Sequence, residues 1–121
     1  MPGQLTTHVL DTVHGCPAAG VAIEVWRLTL TTGVRTLLTS ARTNAGGRTA
    51  EPLLAAGALS AGIYELIFMV GDYFASRESS APAALPFLDH IPVRFAIADP
   101  DAHYHVPLLV SPWSYTTYRG S

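Results

Sequence analysis

Two histidines near the end of the chain are spaced so that both side chains can act on one ligand. They belong to a run in which every second residue is apolar, the pattern of a strand with one buried face, at His103–Ser111. Alternate residues of a strand share a face, so His103 and His105 lie about 7 Å apart, opposite an apolar face that begins with Tyr104. We expect Pro107 to interrupt this strand, because proline has no N–H for the ladder.

This histidine pair allows three interpretations on pattern alone. The first is a polar sheet face without chemistry. The second is a zinc site, because His-x-His is a common half-site, and His8 is then the best third ligand. The third is metal-free acid–base catalysis, in which a neutral imidazole with a pKa of roughly 6.5 takes a proton from water.

Short apolar runs separated by glycine and proline turns predict an all-β sandwich around these residues. The predicted strands are Leu5–Asp11, Val21–Leu28, Val34–Ser40, Arg48–Leu54, Ile63–Val70, Ile91–Ile97, His103–Ser111 and Ser114–Arg119. A turn is predicted at 14–20. The one helix is predicted at 72–80, where Asp72 caps the first turn and Pro82 ends the helix.

The length and composition indicate a single domain whose surface is partly covered by another subunit. The chain has 121 residues, enough for one core, so we predict a single domain over 1–121. Hydrophobic residues make up 49% of the chain and charged residues only 13%, which indicates that another subunit covers part of the surface. A formal charge of −2 argues against a nucleic-acid partner, and no apolar run reaches the roughly 20 residues of a membrane span.

The single cysteine and the two ends of the sequence bear on the cellular compartment. Cys16 has no second cysteine to pair with, which fits a reducing compartment. The opening Met-Pro-Gly-Gln lacks the basic and apolar regions of a secretory signal, and the closing Tyr-Arg-Gly-Ser is not a peroxisomal signal. We therefore expect a cytoplasmic protein.

Motifs spread over nearly the whole chain resemble those of one family. The sequence reads Leu-Thr-Thr-His-Val-Leu-Asp at 5–11, Gly-Cys-Pro-Ala-Ala-Gly-Val at 15–21, Thr-Asn-Ala-Gly-Gly-Arg at 43–48, Pro-Phe-Leu-Asp-His-Ile-Pro at 86–92, His-Tyr-His-Val-Pro-Leu-Leu at 103–109 and Tyr-Arg-Gly-Ser at 118–121. Together they resemble the 5-hydroxyisourate hydrolases, enzyme relatives of the hormone carrier transthyretin. The last two motifs are the most specific, because transthyretin differs at both.

The resemblance implies a transthyretin-like two-sheet sandwich of about eight strands with one short helix. It also implies three catalytic residues, which map to His8, Arg48 and His105 in this chain. The terminal tetrapeptide is expected to shape the same pocket. With strand parity, this gives the following substrate-binding candidates: His103, Ser114, Tyr118, Arg119 and Ser121.

The implied activity is hydrolysis of 5-hydroxyisourate to 2-oxo-4-hydroxy-4-carboxy-5-ureidoimidazoline in urate breakdown, with no cofactor and no metal. One histidine would activate water and Arg48 would stabilise the oxyanion, and the sequence leaves open which histidine is the base. The family forms homotetramers, each a dimer of dimers, so a homotetramer is expected here.

One departure and three rival functions accompany this resemblance. The family usually reads Asp-Gly-Arg where this chain has Gly46-Gly47-Arg48, which puts in doubt how firmly the loop holds Arg48. The rivals are a carrier of a small ligand without catalysis, a zinc hydrolase, and a sandwich module of a larger enzyme. The two histidines and the arginine argue against a carrier of an apolar ligand, which gains nothing from charged groups.

Overall fold

The protein folds as two four-stranded sheets packed face to face. A computed structural model describes residues 2–77 and 85–121, and its elements in chain order are β1 (Leu5–Asp11), β2 (Cys16–Pro17), β3 (Ala22–Thr29), β4 (Val34–Arg42), β5 (Gly62–Met69), α1 (Val70–Arg77), β6 (His90–Ile97), β7 (Tyr104–Val110) and β8 (Tyr115–Thr117). The strand order is β2-β1-β7-β8 in the first sheet and β4-β3-β5-β6 in the second. The predicted all-β sandwich is therefore confirmed.

The core lies between the two sheets and is built by side-chain alternation. β1 and β3 bury every second residue along most of their length, and β7 buries the four apolar side chains predicted for its inner face. In β5, residues 64–68 are all buried, because its outer face is covered as well. There the Glu65 carboxylate lies 3.1 Å from the Arg35 guanidinium and 3.3 Å from that of Arg94, so three strands are tied together.

The predicted strand over Arg48–Leu54 is wrong. Leu53 and Leu54 are adjacent and both buried, so this segment lacks the alternation of a strand with one inner face. Pro52, just before them, has no N–H to pair. Within the described residues, the segment contributes an isolated bridge between Leu54 and Leu5, with N–O distances of 3.0 and 3.3 Å.

The helix starts earlier than the sequence predicts. α1 begins at Val70, directly after β5, because the buried Val70 continues the core face. Asp72 therefore lies in the first turn and does not cap the helix. The predicted stop at Pro82 falls outside the described residues. No helix within 2–77 and 85–121 has the length and apolarity to cross a membrane.

The predicted turn at 14–20 contains one more element. Its residues Cys16 and Pro17 form β2, which pairs antiparallel with Asp11 and Leu10 at the end of β1. The short strand covers that end of the β1 edge. The rest of the edge is covered by loop contacts, including a bond of 2.8 Å from the Val9 N–H to a carbonyl oxygen of the 44–48 loop.

Candidate active site

The candidate site is built on two neighbouring strands in the middle of the first sheet. β1 and β7 run parallel, and their register pairs Thr6 with His105 and His8 with Pro107. Paired residues share a face of the sheet. The alternate residues, such as Val9 and Val106, are buried in the core, so Thr6, His8 and His105 lie on the outer face of this sheet.

The ring of His105 is held on two sides. Its Nδ1 lies 2.8 Å from the Thr6 hydroxyl, and the two groups form a hydrogen bond. The backbone of Gly120 lies against the same ring, since a Cβ at position 120 would come within 2.6 Å of Cδ2 of His105. The Gly120 N–H also donates to the His105 carbonyl oxygen at 2.7 Å. The half-buried imidazole is therefore fixed in one place.

The last residues of the chain reach His105 because the pairing of β7 with β8 is interrupted and then resumes at Gly120. His105 and Pro107 both direct carbonyl oxygens toward β8, where they accept hydrogen bonds from the Gly120 N–H and the Thr117 hydroxyl. Pro107 has no N–H to return, so pairing with β8 stops at Leu108 and resumes as the His105–Gly120 bridge. This is the interruption that the proline predicts.

Arg48 lies in a tight loop that is attached to β1. The carbonyl of Gly47 accepts the Val9 N–H at 2.8 Å, which attaches the loop to β1. Gly47 has a φ of 74°, and a Cβ there would lie 2.4 Å from the Val9 carbonyl oxygen and 3.2 Å from Cδ2 of His8. Residue 47 must therefore be glycine, and Arg48 leaves the loop next to His8.

The departure at Gly46 leaves the closure of this loop in place. The Asn44 side chain accepts hydrogen bonds from the backbone N–H of Gly46 at 2.9 Å and of Arg48 at 3.3 Å. The Asn44 N–H donates to the Arg48 carbonyl at 2.6 Å. These bonds use the side chain of Asn44 and backbone groups, so none of them needs a carboxylate at position 46.

The parallel register and the contact of Gly47 with His8 bring the three predicted catalytic residues into one region, and the pKa of His105 reflects its two neighbours. Burial lowers the pKa of His105 below its ordinary value of 6.5, and the electrostatic influence of Arg48 and His8 lowers it further. His105 is therefore a neutral imidazole at neutral pH, and Nδ1 is the nitrogen engaged by Thr6. Its Nε2 is left for chemistry.

Three of the predicted substrate-binding residues lie outside the strands β7 and β8. His103 lies just before β7, which begins at Tyr104. The residues before His103 form a turn closed by a hydrogen bond from the Ala102 N–H to the Asp99 carbonyl. Strand geometry therefore does not place His103 beside His105. Its carbonyl accepts a hydrogen bond from Arg119 at 3.1 Å. Tyr118 and Arg119 line a cleft of about 330 Å³ near β6.

Ser114 and Ser121 lie at opposite ends of the last segment. β8 spans Tyr115–Thr117, so the predicted strand over Ser114–Arg119 is too long. Ser114 belongs to the turn before β8, where its hydroxyl lies 3.0 Å from that of Ser111. Ser111 is six residues beyond His105, a separation of about 20 Å along a strand. Ser121 follows Gly120 and is therefore next to the His105 ring.

Sequence reasoning missed two residues at this site. Alternation along the first strand puts Thr6 on the face of His8, but it predicts no role for Thr6, and Gly120 is only one member of the terminal motif. The signal for Thr6 was its parity with His8, but its partner depends on the parallel register.

Within residues 2–77 and 85–121, no group of three or more His, Cys, Asp or Glu side chains is arranged to hold a metal ion.

The fold and the site together define a transthyretin-like sandwich with two histidines on the outer face of one sheet and an arginine on a loop attached to that sheet. The model of the HIUase/Transthyretin family matches residues 5–120, and the chain belongs to that family.

The individual proteins that this chain is similar to include enzymes and transthyretins. A 5-hydroxyisourate hydrolase of Halalkalibacterium halodurans is 54% identical over 100% of both chains. The crystal structure of an (S)-allantoin synthase superposes with a TM-score of 0.89 at 49% identity, covering 99% of this chain and 44% of that one. Sea bream transthyretin, solved with thyroxine, gives 0.83 at 33% identity, covering 97% and 94%.

Proposed function

We propose that this chain is an enzyme that hydrolyses 5-hydroxyisourate to 2-oxo-4-hydroxy-4-carboxy-5-ureidoimidazoline. The observation that carries the proposal is the parallel register that puts His8 and His105 on one sheet face, with Gly47 packed against His8 and Arg48 next in the chain. The relative that is 54% identical over the whole chain bears the name of this hydrolase, which supports the same assignment.

In the proposed reaction His105 is the general base. Its neutral imidazole takes a proton from water, and the water oxygen bonds to the ring carbonyl carbon. Arg48 donates N–H groups to the oxyanion that develops on that carbonyl. The ring C–N bond then breaks and the proton passes to the leaving nitrogen. Water is thus added across the ring C–N bond without another reactant. His8 orients the substrate beside Arg48.

The proposal includes a homotetramer, a dimer of dimers. In one chain, the two clefts of about 320 and 330 Å³ are not lined by His8, Arg48 or His105. A second subunit over the outer face of the first sheet would enclose the substrate. Ser114 lies about 20 Å from His105 along the strand, so a role for it in substrate binding needs a neighbouring subunit. Light scattering should give the mass of four chains.

The first experiment follows the decay of freshly generated 5-hydroxyisourate by ultraviolet absorbance, in the presence of a strong chelator. The wild type should accelerate decay well beyond the spontaneous reaction. His105→Asn should lose on the order of 10²-fold or more, as expected when a general base is removed. His90→Asn is the matched control, because His90 is exposed at the start of β6, in the other sheet, and should keep the wild-type rate.

Two outcomes would favour the rival functions. Wild-type decay no faster than the spontaneous reaction would remove the hydrolase assignment and favour a small-ligand carrier, the rival suggested by the likeness to transthyretin. Activity that the chelator abolishes and zinc restores would favour the metal hydrolase. A His105→Asn variant as active as the His90→Asn control would show that His105 is not the base.

A further inference from the structure

The hydrogen bond between Thr6 and His105 joins two residues that are direct neighbours in the parallel ladder. The Thr6 hydroxyl lies 2.8 Å from Nδ1 of His105, and both side chains are partly buried on the outer face. We propose that Thr6 is a positioning residue, whose hydroxyl oxygen accepts the Nδ1–H of His105 and so keeps Nε2 as the unprotonated nitrogen facing the substrate. This inference rests on the proposed function, in which His105 is the base.

The proposal follows from what a neutral imidazole offers. One of its nitrogens carries a hydrogen and the other is an acceptor, so the partner of Nδ1 decides which nitrogen can take a proton. When Nε2 takes the proton from water, Nδ1 keeps its hydrogen and must still donate it. The Thr6 oxygen can accept that bond before and after the proton transfer, so the ring need not move during the step.

A hydroxyl suits this position better than a carboxylate. A carboxylate at Nδ1 would add a negative charge that favours the protonated ring, which raises the pKa of a histidine. Thr6 orients the ring without adding charge. The imidazole of His105 therefore stays neutral under the influence of burial, Arg48 and His8, and is ready to act as a base at neutral pH.

The backbone around Thr6 fixes the hydroxyl in place. The next residue, Thr7, is buried, and its hydroxyl donates to the carbonyl of Val106 at 2.7 Å, which ties the two strands together beside the Thr6–His105 pair. Gly120 lies against the opposite part of the His105 ring. The ring is thus confined between the chain end and β1, and its Nδ1 faces the Thr6 hydroxyl.

The experiment compares Thr6→Val, which keeps the shape and removes the hydroxyl, with Thr6→Ser, which keeps the hydroxyl. Thr6→Val should lower kcat on the order of 10- to 100-fold with a smaller change in KM, because a misplaced catalytic group costs about that much. Thr6→Ser should restore most of the rate. Nitrogen-15 NMR of His105 should show the Nδ1–H tautomer in the wild type and Thr6→Ser, and a mixture of tautomers in Thr6→Val.

The matched control is Thr12→Val, at the other end of the same sheet. The Thr12 hydroxyl donates to the Val110 carbonyl at 3.1 Å and is remote from His105, so this variant should keep the wild-type kcat. Equal kcat and equal tautomers in Thr6→Val and the wild type would overturn the proposal. So would an Nε2–H tautomer in the wild type, a result that needs no folded variant. The tautomer can be determined even if the wild type does not hydrolyse the substrate, so the two proposals fail separately.

Discussion

The two ends of β1 each hold a histidine ring by its Nδ1 atom, but their partners differ in charge. Near the start of the strand, the neutral hydroxyl of Thr6 lies 2.8 Å from Nδ1 of His105. At the end, the carboxylate of Asp11 lies 2.6 Å from Nδ1 of His14. The first pair joins two central strands, whereas the second lies in a turn. The comparison shows how one strand can hold two histidine rings in different electrostatic surroundings.

The difference lies in how many groups share the partner. The Asp11 carboxylate is buried and accepts hydrogen bonds from the N–H groups of Val13 and His14 and from the Tyr73 hydroxyl at 2.7 Å. Burial raises the pKa of Asp11, but these bonds outweigh burial and lower it overall. Burial and Asp11 raise the pKa of Tyr73. This cluster therefore joins β1, the turn and α1 around a carboxylate that stays ionised near neutral pH.

The largest effect should come from removing the charge at the structural end. Asp11→Asn should lower the free energy of unfolding by about 3 kcal/mol, because hydrogen bonds to a buried charged group are each worth about 1.5–3 kcal/mol. The kcat of the protein that remains folded should not change. Urea unfolding followed by circular dichroism measures the first quantity, and decay of the substrate measures the second.

The pH dependence of stability gives this prediction a control. The folded pKa of Asp11 lies below its ordinary value of 3.8, so its contribution to stability is complete above that pH and is lost as the pH falls through the folded value. Asp11→Asn should lose less stability than the wild type over this acid range. Tyr73→Phe, which removes one donor and keeps the charge, should be destabilised less than Asp11→Asn. If Asp11→Asn lost kcat and kept its stability, the two ends would not divide the roles as described.

A smaller effect is expected at the reactive end from the charge of Arg48. Burial and Arg48 both lower the pKa of His105, so removal of this cation in Arg48→Gln should raise that pKa toward 6.5. In the wild type, the acid limb of kcat/KM should have its midpoint below 6.5, and in Arg48→Gln the midpoint should move to higher pH. Titration of the His105 ring by NMR measures the same shift without substrate.

Arg42→Gln is the matched control for this titration. The exposed guanidinium of Arg42 donates to the Gly20 carbonyl at 3.1 Å and is not among the causes of the lowered pKa of His105. Its removal should leave the titration of His105 unchanged. A His105 midpoint that moves equally in both variants would mean that net charge, and not the position of Arg48, sets the pKa.

The sequence predicts which side chains share a face of a strand, but not which residues of two strands are paired. Alternation within β1 and β7 predicted which side chains share a face. The contact of Thr6 with His105 joins residues 99 positions apart and depends on which residues the parallel ladder pairs. The role of Asp11 could not be predicted either, because its partner Tyr73 lies 62 positions away.

The loop that carries Arg48 gave the clearest error, for a physical reason. A strand was predicted over Arg48–Leu54, but the two adjacent leucines at 53 and 54 both enter the core and no regular ladder forms. The family motif predicted the arginine itself. The approach of Arg48 to His8 depends on the positive φ of Gly47 and on the hydrogen bond from the Val9 N–H to the Gly47 carbonyl. Neither feature can be predicted from the sequence alone.

The smallest effect should come from the structural histidine itself. His14→Gln removes the ring from Asp11, yet the carboxylate keeps its two backbone donors and Tyr73. The His14 side chain is 39% exposed, so the loss of this pair should cost at most about 1 kcal/mol in urea unfolding. The kcat should equal that of the wild type, whereas His105→Gln should be nearly inactive. A His14→Gln variant with reduced kcat and unchanged stability would mean that a carboxylate-bound histidine also serves the reaction, and the difference between the two ends of β1 would then be one of degree.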